Sequence, residues 1–192
     1  MKQSFKYHSA LKQIRCNEDF PEIEYFKKGK SIAMFNDLTR GLPIEFDKCD
    51  VFYSDPPYPA GMNYFNKKSN IQTKYNDLMI AISNIILNKN KPTIITNCKN
   101  AVKFFPSPNQ ILKIKMNSSE VYAYVFNTEI DSSLKTNIDI INYLACKFNT
   151  IGDFCCGYGL SGIIFDIYGK SFVLSDYNKK CIGYIKQKYE NL

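Results

Sequence analysis

Residues 50–58 read DVFYSDPPY, an apolar run that ends in an aspartate, two prolines and a tyrosine. The run from Asp50 to Ser54 predicts a strand, because it is rich in β-branched and aromatic residues. Proline lacks the N–H that a sheet ladder needs, so the strand must end at Asp55. The tetrapeptide Asp55-Pro56-Pro57-Tyr58 therefore follows a strand directly. In a purely structural interpretation it closes the strand, with Asp55 solvated and Tyr58 packed.

A second strand-to-helix turn reads Asp153-Phe154-Cys155-Cys156-Gly157-Tyr158-Gly159. Its glycines permit positive φ and let a ligand approach the backbone. The G-x-G spacing alone leaves a nucleotide-like ligand and a simple tight turn equally open. Asp176 ends the next predicted strand, where an acid in a doubly wound fold can bind two ribose hydroxyls. It could equally cap the following helix.

The remaining pattern alternates strands with helices, which predicts an α/β fold: a Rossmann-like, mostly parallel sheet with helices on both faces. An antiparallel hairpin is predicted over residues 111–126. Ser132 or Ser133 is the predicted cap of a helix that runs to about Phe148. The predicted strands are 31–35, 50–54, 93–96, 111–115, 121–126, 151–155 and 171–174. The other predicted helices are 75–87, 160–168 and 178–189.

Length and composition predict one ordinary globular domain. The 192 residues are 45% hydrophobic and 22% charged, close to the globular average. We expect a catalytic domain over residues 31–192, preceded by a polar N-terminal extension over residues 1–30. The start of the chain does not resemble a secretory signal and no run is long enough to span a membrane, so we expect a cytoplasmic protein with no membrane partner.

Charge and residue usage narrow the chemistry further. The net charge of +7 suits a polyanionic partner, although a lysine-rich coding bias explains it equally well. One histidine and seven cysteines without a C-x-x-C pair argue against a metal centre and a Ser-His-Asp triad. We therefore predict no metal and free cysteine thiols.

Together, the two motifs resemble those of the amino-methyltransferases that use S-adenosylmethionine (SAM) to modify adenine or cytosine in nucleic acid. Asp55 to Tyr58 resembles their catalytic D-P-P-Y. Asp153 to Gly159 resembles their donor loop, D-x-F-x-G-x-G, with Cys155 in place of phenylalanine and Tyr158 in place of a small residue. The tetrapeptide precedes the donor loop, as in the permuted β-type subgroup. Residues 33–37 and 133–136 resemble the family's flanking segments, so the resemblance covers about 31–190.

The resemblance implies the fold of a class I methyltransferase and transfer of a methyl group from SAM to the N6 amine of adenine in DNA, with S-adenosylhomocysteine as product. Aspartate rather than serine at position 55 favours adenine over cytosine. The implied catalytic residues are Asp55, Pro56, Pro57 and Tyr58. The implied cofactor-binding residues are Asp37, Lys135, Asp153, Cys155, Gly157, Gly159 and Asp176. Lys135 could equally be a solvated lysine, and Asp37 could belong to an ordinary turn.

This chemistry needs no metal or histidine. The Asp55 carboxylate and the Pro56 carbonyl can each accept one hydrogen of an adenine amine, which frees the nitrogen lone pair. Tyr58 can stack on a base that has left the duplex. Direct transfer of a methyl group from a sulfonium then requires chiefly alignment and electrostatic complementarity.

The chain has little room for a target-recognition insertion, so we expect a short recognition site or a partner that supplies it, as a homodimer or with a recognition subunit. Lysines and aromatic residues in segments 59–74 and 99–110 suit nucleic-acid binding. The predicted contacts are Tyr64, Phe65, Lys67, Lys68, Lys99 and Lys103. Phe104 and Phe105 can instead be apolar anchors. Three alternatives stay open: an RNA substrate, a weakly active or non-catalytic subunit, and a protein amide substrate, which usually goes with asparagine at position 55.

Overall fold

A single sheet of eight strands organises the part of the chain that the computed structural model describes, residues 20–69, 72–116 and 119–190. Its spatial order is β1-β2-β8-β7-β3-β4-β6-β5. The strands are β1 (Tyr25–Lys28), β2 (Ser31–Phe35), β3 (Val51–Ser54), β4 (Thr93–Asn97), β5 (Gln110–Met116), β6 (Ser119–Phe126), β7 (Thr150–Asp153) and β8 (Ser171–Asp176).

Helices connect these strands and cover both faces of the sheet. They are α1 (Met62–Ser69), α2 (Tyr75–Lys89), α3 (Asn137–Lys147), α4 (Leu160–Ile167) and α5 (Lys179–Glu190). Short 3-10 turns lie at Leu38–Arg40, Ile44–Lys48, Pro59–Gly61 and Lys99–Phe104. Within the described ranges, no helix combines the length and the apolar character that crossing a membrane requires.

The five central strands, β2, β8, β7, β3 and β4, run parallel, and β6 joins them antiparallel to β4. The β5–β6 hairpin is antiparallel, as predicted. From β7 the chain continues to β8 on one side, and from β3 it continues to β4 on the other. This reversal between β7 and β3 is the point where open α/β sheets bind ligands, outside the carboxyl ends of the strands.

Two apolar layers hold the helices against the sheet. Helices α3, α4 and α5 cover one face with buried residues such as Leu144, Phe165 and Ile182. Helix α2 covers the other face with Leu78, Ile82, Ile85 and Ile86, the stripe that its spacing predicts. The predicted mixed α/β sheet with helices on both faces is therefore confirmed.

Helix α3 begins later than predicted, at Asn137, and its cap is Thr136 rather than Ser132 or Ser133. The Asp139 N–H donates to Thr136 Oγ1 at 3.1 Å, and the Thr136 N–H donates to Asp139 Oδ2 at 2.9 Å. This reciprocal capping box satisfies two backbone donors at once, whereas a serine without an acid three residues later satisfies only one.

The predicted N-terminal extension, 1–30, contributes its last residues to the sheet. Strand β1 pairs antiparallel with β2. Just before it, the Ile23 N–H donates to the Lys179 carbonyl at 3.2 Å, and Phe20 is buried in the core. The Pro21 carbonyl passes so close to Gly183 that a Cβ there would lie 1.8 Å from its oxygen. Glycine on α5 is therefore what lets this segment dock.

Replacing Gly183 with alanine tests that close approach. Although alanine favours a helix by about 1 kcal/mol over glycine, the clash with the Pro21 backbone should dominate, because overpacking costs about 1–3 kcal/mol. We expect G183A to lower the free energy of unfolding in urea by about 1–2 kcal/mol. Gln187→Ala, at an exposed position on the same helix, is the control. A more stable G183A would contradict the close approach.

Candidate active site

Asp55 lies at the carboxyl end of β3, beside the end of β4. Ser54 pairs with Ile95 across the two parallel strands, so the following residues, Asp55 and Thr96, are neighbours. The Thr96 hydroxyl donates to Asp55 Oδ1 at 2.9 Å, and the Tyr58 hydroxyl donates to the same oxygen at 3.4 Å. One carboxylate oxygen is thus held by two neutral donors.

The next carbonyl along the chain, that of Pro56, is held by Asn97. Asn97 Nδ2 donates to the Pro56 oxygen at 3.1 Å, and Asn97 is fully buried. Neither Thr96 nor Asn97 is among the residues predicted from the sequence. The signal that could have found them is two successive polar residues that follow Ile94 and Ile95 at the end of a buried strand.

Tyr58 is half-buried at the end of the tetrapeptide and packs against the core. Burial, followed by the nearby Asp55 carboxylate, raises the pKa of Tyr58 well above its ordinary value. The phenol therefore stays neutral and acts as a donor to Asp55. Pro56 and Pro57 are buried between these two groups.

The glycine turn after β7 is held by two buried acids. Asp153 accepts from the Ser161 hydroxyl at 2.6 Å and from the Cys155 N–H at 3.2 Å. Asp176, at the end of β8, accepts from the Gly157 N–H and the Asn178 N–H, both at 2.9 Å. The carboxyl ends of β7 and β8 are therefore linked through the turn.

The turn adopts the backbone conformation that its glycines suggest. Gly157 has φ +50° and Gly159 has φ +75°, both in the left-handed region that favours glycine. A Cβ at Gly157 would meet nothing within 4 Å, so the backbone there borders open space. Asn178 caps the following helix by accepting from the Lys180 N–H. Asp176 thus supports the turn and the residue before α5.

Burial raises the pKa of Asp153 to about 7 and that of Asp176 to about 6, although hydrogen bonds oppose the rise in both. The Asp55 carboxylate adds to the rise at Asp153, so these two acids are close enough to interact. Burial also raises the pKa of Cys155 well above its ordinary value, with the charges of Asp176 and Asp153 adding to it. Both predicted motifs therefore lie at the neighbouring carboxyl ends of β3 and β7.

Asp37, after β2, lies one strand beyond Asp176. The Asn36 N–H donates to the Asp176 carbonyl at 3.0 Å. Asp37 caps a 3-10 turn by accepting from the Thr39 N–H at 3.1 Å, and it pairs with Arg40 at 3.5 Å. It also lines a cavity of about 600 Å³ between this turn and the start of α2. Asp37 thus belongs to a local turn and faces this cavity.

Lys135 lies outside this group of residues. Its side chain is exposed, and its carbonyl accepts from the Lys115 N–H of the edge strand β5 at 2.7 Å. Its own N–H donates to Asp139 at 3.2 Å. The structure thus brings Asp153, Cys155, Gly157, Gly159 and Asp176 together and leaves Lys135 beside β5.

Among the predicted nucleic-acid contacts, Lys99 and Lys103 are exposed on the 3-10 turn after β4, and Lys67 is exposed on α1. The side chains of Tyr64, Phe65 and Lys68 lie outside the part that the structure describes. Phe104 packs edge to face on Tyr75 at 5.7 Å, and Phe105 does the same on Tyr124 and Phe126. Both phenylalanines are therefore apolar anchors.

The comparisons with known proteins found solved structures with a similar fold, but no match in sequence. No family model and no curated protein matches the chain. A crystal structure of the M1.HpyAVI–SAM complex matches with a TM-score of 0.53 and 12% identity, over 81% of this chain and 97% of that one. A crystal structure of M1.HpyAVI matches with a TM-score of 0.52 and 11% identity, over 83% and 98%. The predicted Rossmann-like fold is thereby confirmed, and M1.HpyAVI shares it.

The buried Asp153 should make stability depend on pH. Because its pKa is raised in the folded state, its contribution to stability is complete below the unfolded pKa near 4 and is lost as pH rises through about 7. The loss is on the order of 4 kcal/mol, at about 1.4 kcal/mol per pKa unit. Asp153→Asn keeps an acceptor for the Cys155 N–H and places an amide donor opposite the Ser161 hydroxyl, so it removes the ionisation with little change of shape.

Urea unfolding from pH 4 to 8 measures this effect. We expect the unfolding free energy of the wild type, minus that of D153N, to fall with rising pH and level off above 7. Asp166→Asn, at an exposed aspartate on α4, is the control and should run parallel to the wild type. A pH-independent difference for D153N would contradict the raised pKa.

Proposed function

We propose that this protein transfers a methyl group from SAM to the N6 amine of adenine in DNA. The observation that carries the proposal is the meeting of two acceptors, Asp55 and the Pro56 carbonyl, with the glycine turn of Asp153 to Gly159 at the ends of adjacent parallel strands. The two acceptors suit the two hydrogens of a base amine, and the glycine turn suits the binding of a methyl donor.

The residues at the ends of β7 and β8 suit a nucleoside-bearing donor. Asp176 is oriented by two backbone donors, and its carboxylate is the group we assign to the ribose hydroxyls. The open space at Gly157 leaves room for the rest of the donor along the turn. The M1.HpyAVI–SAM complex, with the same fold, supports this choice of cofactor. We assign the cavity beside Asp37 to the donor's adenine or to the target base.

SAM supplies an electrophilic methyl group on a sulfonium. The chain must supply a competent nucleophile, because the lone pair of an adenine amine is delocalised into the ring. Asp55 and the Pro56 carbonyl each accept one amine hydrogen, which draws the nitrogen toward tetrahedral geometry. Attack of the nitrogen on the donor's methyl group would break the carbon–sulfur bond, leave S-adenosylhomocysteine and release one amine proton to solvent. Alignment and electrostatics then account for catalysis.

The surface around the tetrapeptide suits a polyanion. Lys99 and Lys103 follow directly from β4, at the same sheet edge as Asp55, and the chain carries a net charge of +7. Lysine contacts phosphates as a point charge without reading base edges. Tyr58 is the residue we assign to stack on the flipped base. These features support a nucleic acid as the substrate. Its recognition sequence would be short, or a partner would supply the recognition.

Asp55→Ala should abolish methyl transfer and leave SAM binding within about threefold, because Asp55 contacts the base amine rather than the donor. The assay incubates labelled SAM with unmodified DNA or RNA, digests to nucleosides and identifies the product by mass. Asp166→Ala removes an exposed aspartate on α4 instead and should retain activity.

The result expected for the wild type is N6-methyl-2′-deoxyadenosine, released from DNA. Equal turnover by D55A would contradict the catalytic role. N4-methyl-2′-deoxycytidine from DNA, or a methylated nucleoside from RNA alone, would contradict adenine in DNA as the substrate. Absence of SAM binding by the wild type would favour a non-catalytic subunit.

Removing Lys99 and Lys103 together should weaken nucleic-acid binding in a salt-dependent way. Each lysine that no longer neutralises a phosphate lowers the slope of log affinity against log salt by about 0.9, so the double alanine variant should show a slope smaller by about one to two units. Lys147→Ala is the control, because Lys147 is exposed just before the amino end of β7, at the opposite sheet edge. Equal slopes for the wild type and the double variant would contradict this interface.

A further inference from the structure

The peptide between Pro56 and Pro57 cannot be held in place by its own donor, since proline has no N–H. The ring fixes φ of Pro56, but ψ still decides where the Pro56 carbonyl points. The contact that holds this oxygen is the Asn97 side chain, at 3.1 Å from a fully buried position. Control over the carbonyl thus comes from the neighbouring strand β4.

The orientation of the Asn97 amide is decided by its other two partners. Its Oδ1 accepts from the Tyr75 hydroxyl at 3.1 Å and from the Cys98 N–H at 2.9 Å. The Cys98 N–H can only donate, so the amide oxygen must face it and the amide nitrogen must face the Pro56 carbonyl. A flipped amide would leave buried groups with mismatched partners, which is costly.

Tyr75 links this amide to the segment that carries Lys99 and Lys103. It is the first residue of α2, and its ring packs edge to face on Phe104 at 5.7 Å. Phe104 ends the 3-10 turn that carries Lys99 and Lys103. One buried side chain, Asn97, therefore connects the catalytic tetrapeptide with the segment assigned to the nucleic-acid backbone.

We propose that Asn97, locked by Tyr75, is a positioning residue that aims the Pro56 carbonyl at the amine of the target base. This role rests on the proposed function. A carbonyl oxygen has two lone pairs, so it can accept from Asn97 and from the base amine at the same time. Asn97 acts through Pro56 and does not itself touch the reacting atoms.

Asn97→Asp tests this role with little change of shape. An aspartate keeps an oxygen for Tyr75 and Cys98, but in its ionised form it has no donor for the Pro56 carbonyl. We expect kcat at pH 8 to fall about 10- to 100-fold, the scale of a misplaced catalytic group. The KM for nucleic acid and the Kd for SAM should change less than about threefold.

The pH profile distinguishes positioning from general damage. When the carboxyl group is protonated, it can donate to the Pro56 carbonyl again. The ratio of wild-type kcat to N97D kcat should therefore shrink as pH falls from 8.5 to 6. A large ratio that is constant over this range overturns the proposal, and so does a kcat equal to that of the wild type at every pH.

A second pair of variants keeps the test decisive if N97D does not fold. Tyr75→Phe retains the ring contact with Phe104 but removes the donor to Asn97, so kcat should fall at least threefold. Tyr124→Phe removes a hydroxyl that donates to the Cys98 and Lys99 carbonyls, both at 2.9 Å, without touching Asn97. It should keep the wild-type kcat.

Equal kcat for Y75F and Y124F overturns the positioning role while leaving the proposed function intact. A wild type that methylates neither DNA nor RNA overturns the proposed function itself and, with it, this role. The two failures are therefore distinguishable.

Discussion

The parallel pairing of β3 with β7 is the contact on which the candidate site depends. Val51 lies opposite Ile151 and Phe52 opposite Gly152, although these strands are far apart in the chain. A Cβ at position 152 would lie 2.7 Å from the Phe52 ring, so the absence of a side chain there lets the ring pack against β7. This register places Asp55 and the glycine turn at neighbouring strand ends.

The ends of β7 and β8 carry two acids whose charged forms are disfavoured by burial. Asp153 and Asp176 are buried, and burial raises the pKa of both because the charged form loses its hydration. Their hydrogen-bond donors are hydroxyl and backbone N–H groups, which oppose this effect only in part. Shifted pKa values of this kind cluster at functional sites, which agrees with the proposed donor site.

Prolines make the tetrapeptide rigid and at the same time dependent on its neighbours. They remove the backbone donors that a turn would normally use to fix its own carbonyls. Two side chains at the end of β4 supply donors instead. Thr96 donates to the Asp55 carboxylate, and Asn97 donates to the Pro56 carbonyl. The site is thus a property of two adjacent strands, even though its motif lies on one.

The sequence by itself determined the α/β class, most strands and helices, and the two motifs, because periodicity, prolines and glycines act locally. The tertiary structure alone decided that Thr96 and Asn97 serve the tetrapeptide, that Lys135 lies beside β5, and that residues 25–28 extend the sheet. Those outcomes depend on which strands pair and in what register, and strand pairing joins residues whose separation leaves no local pattern.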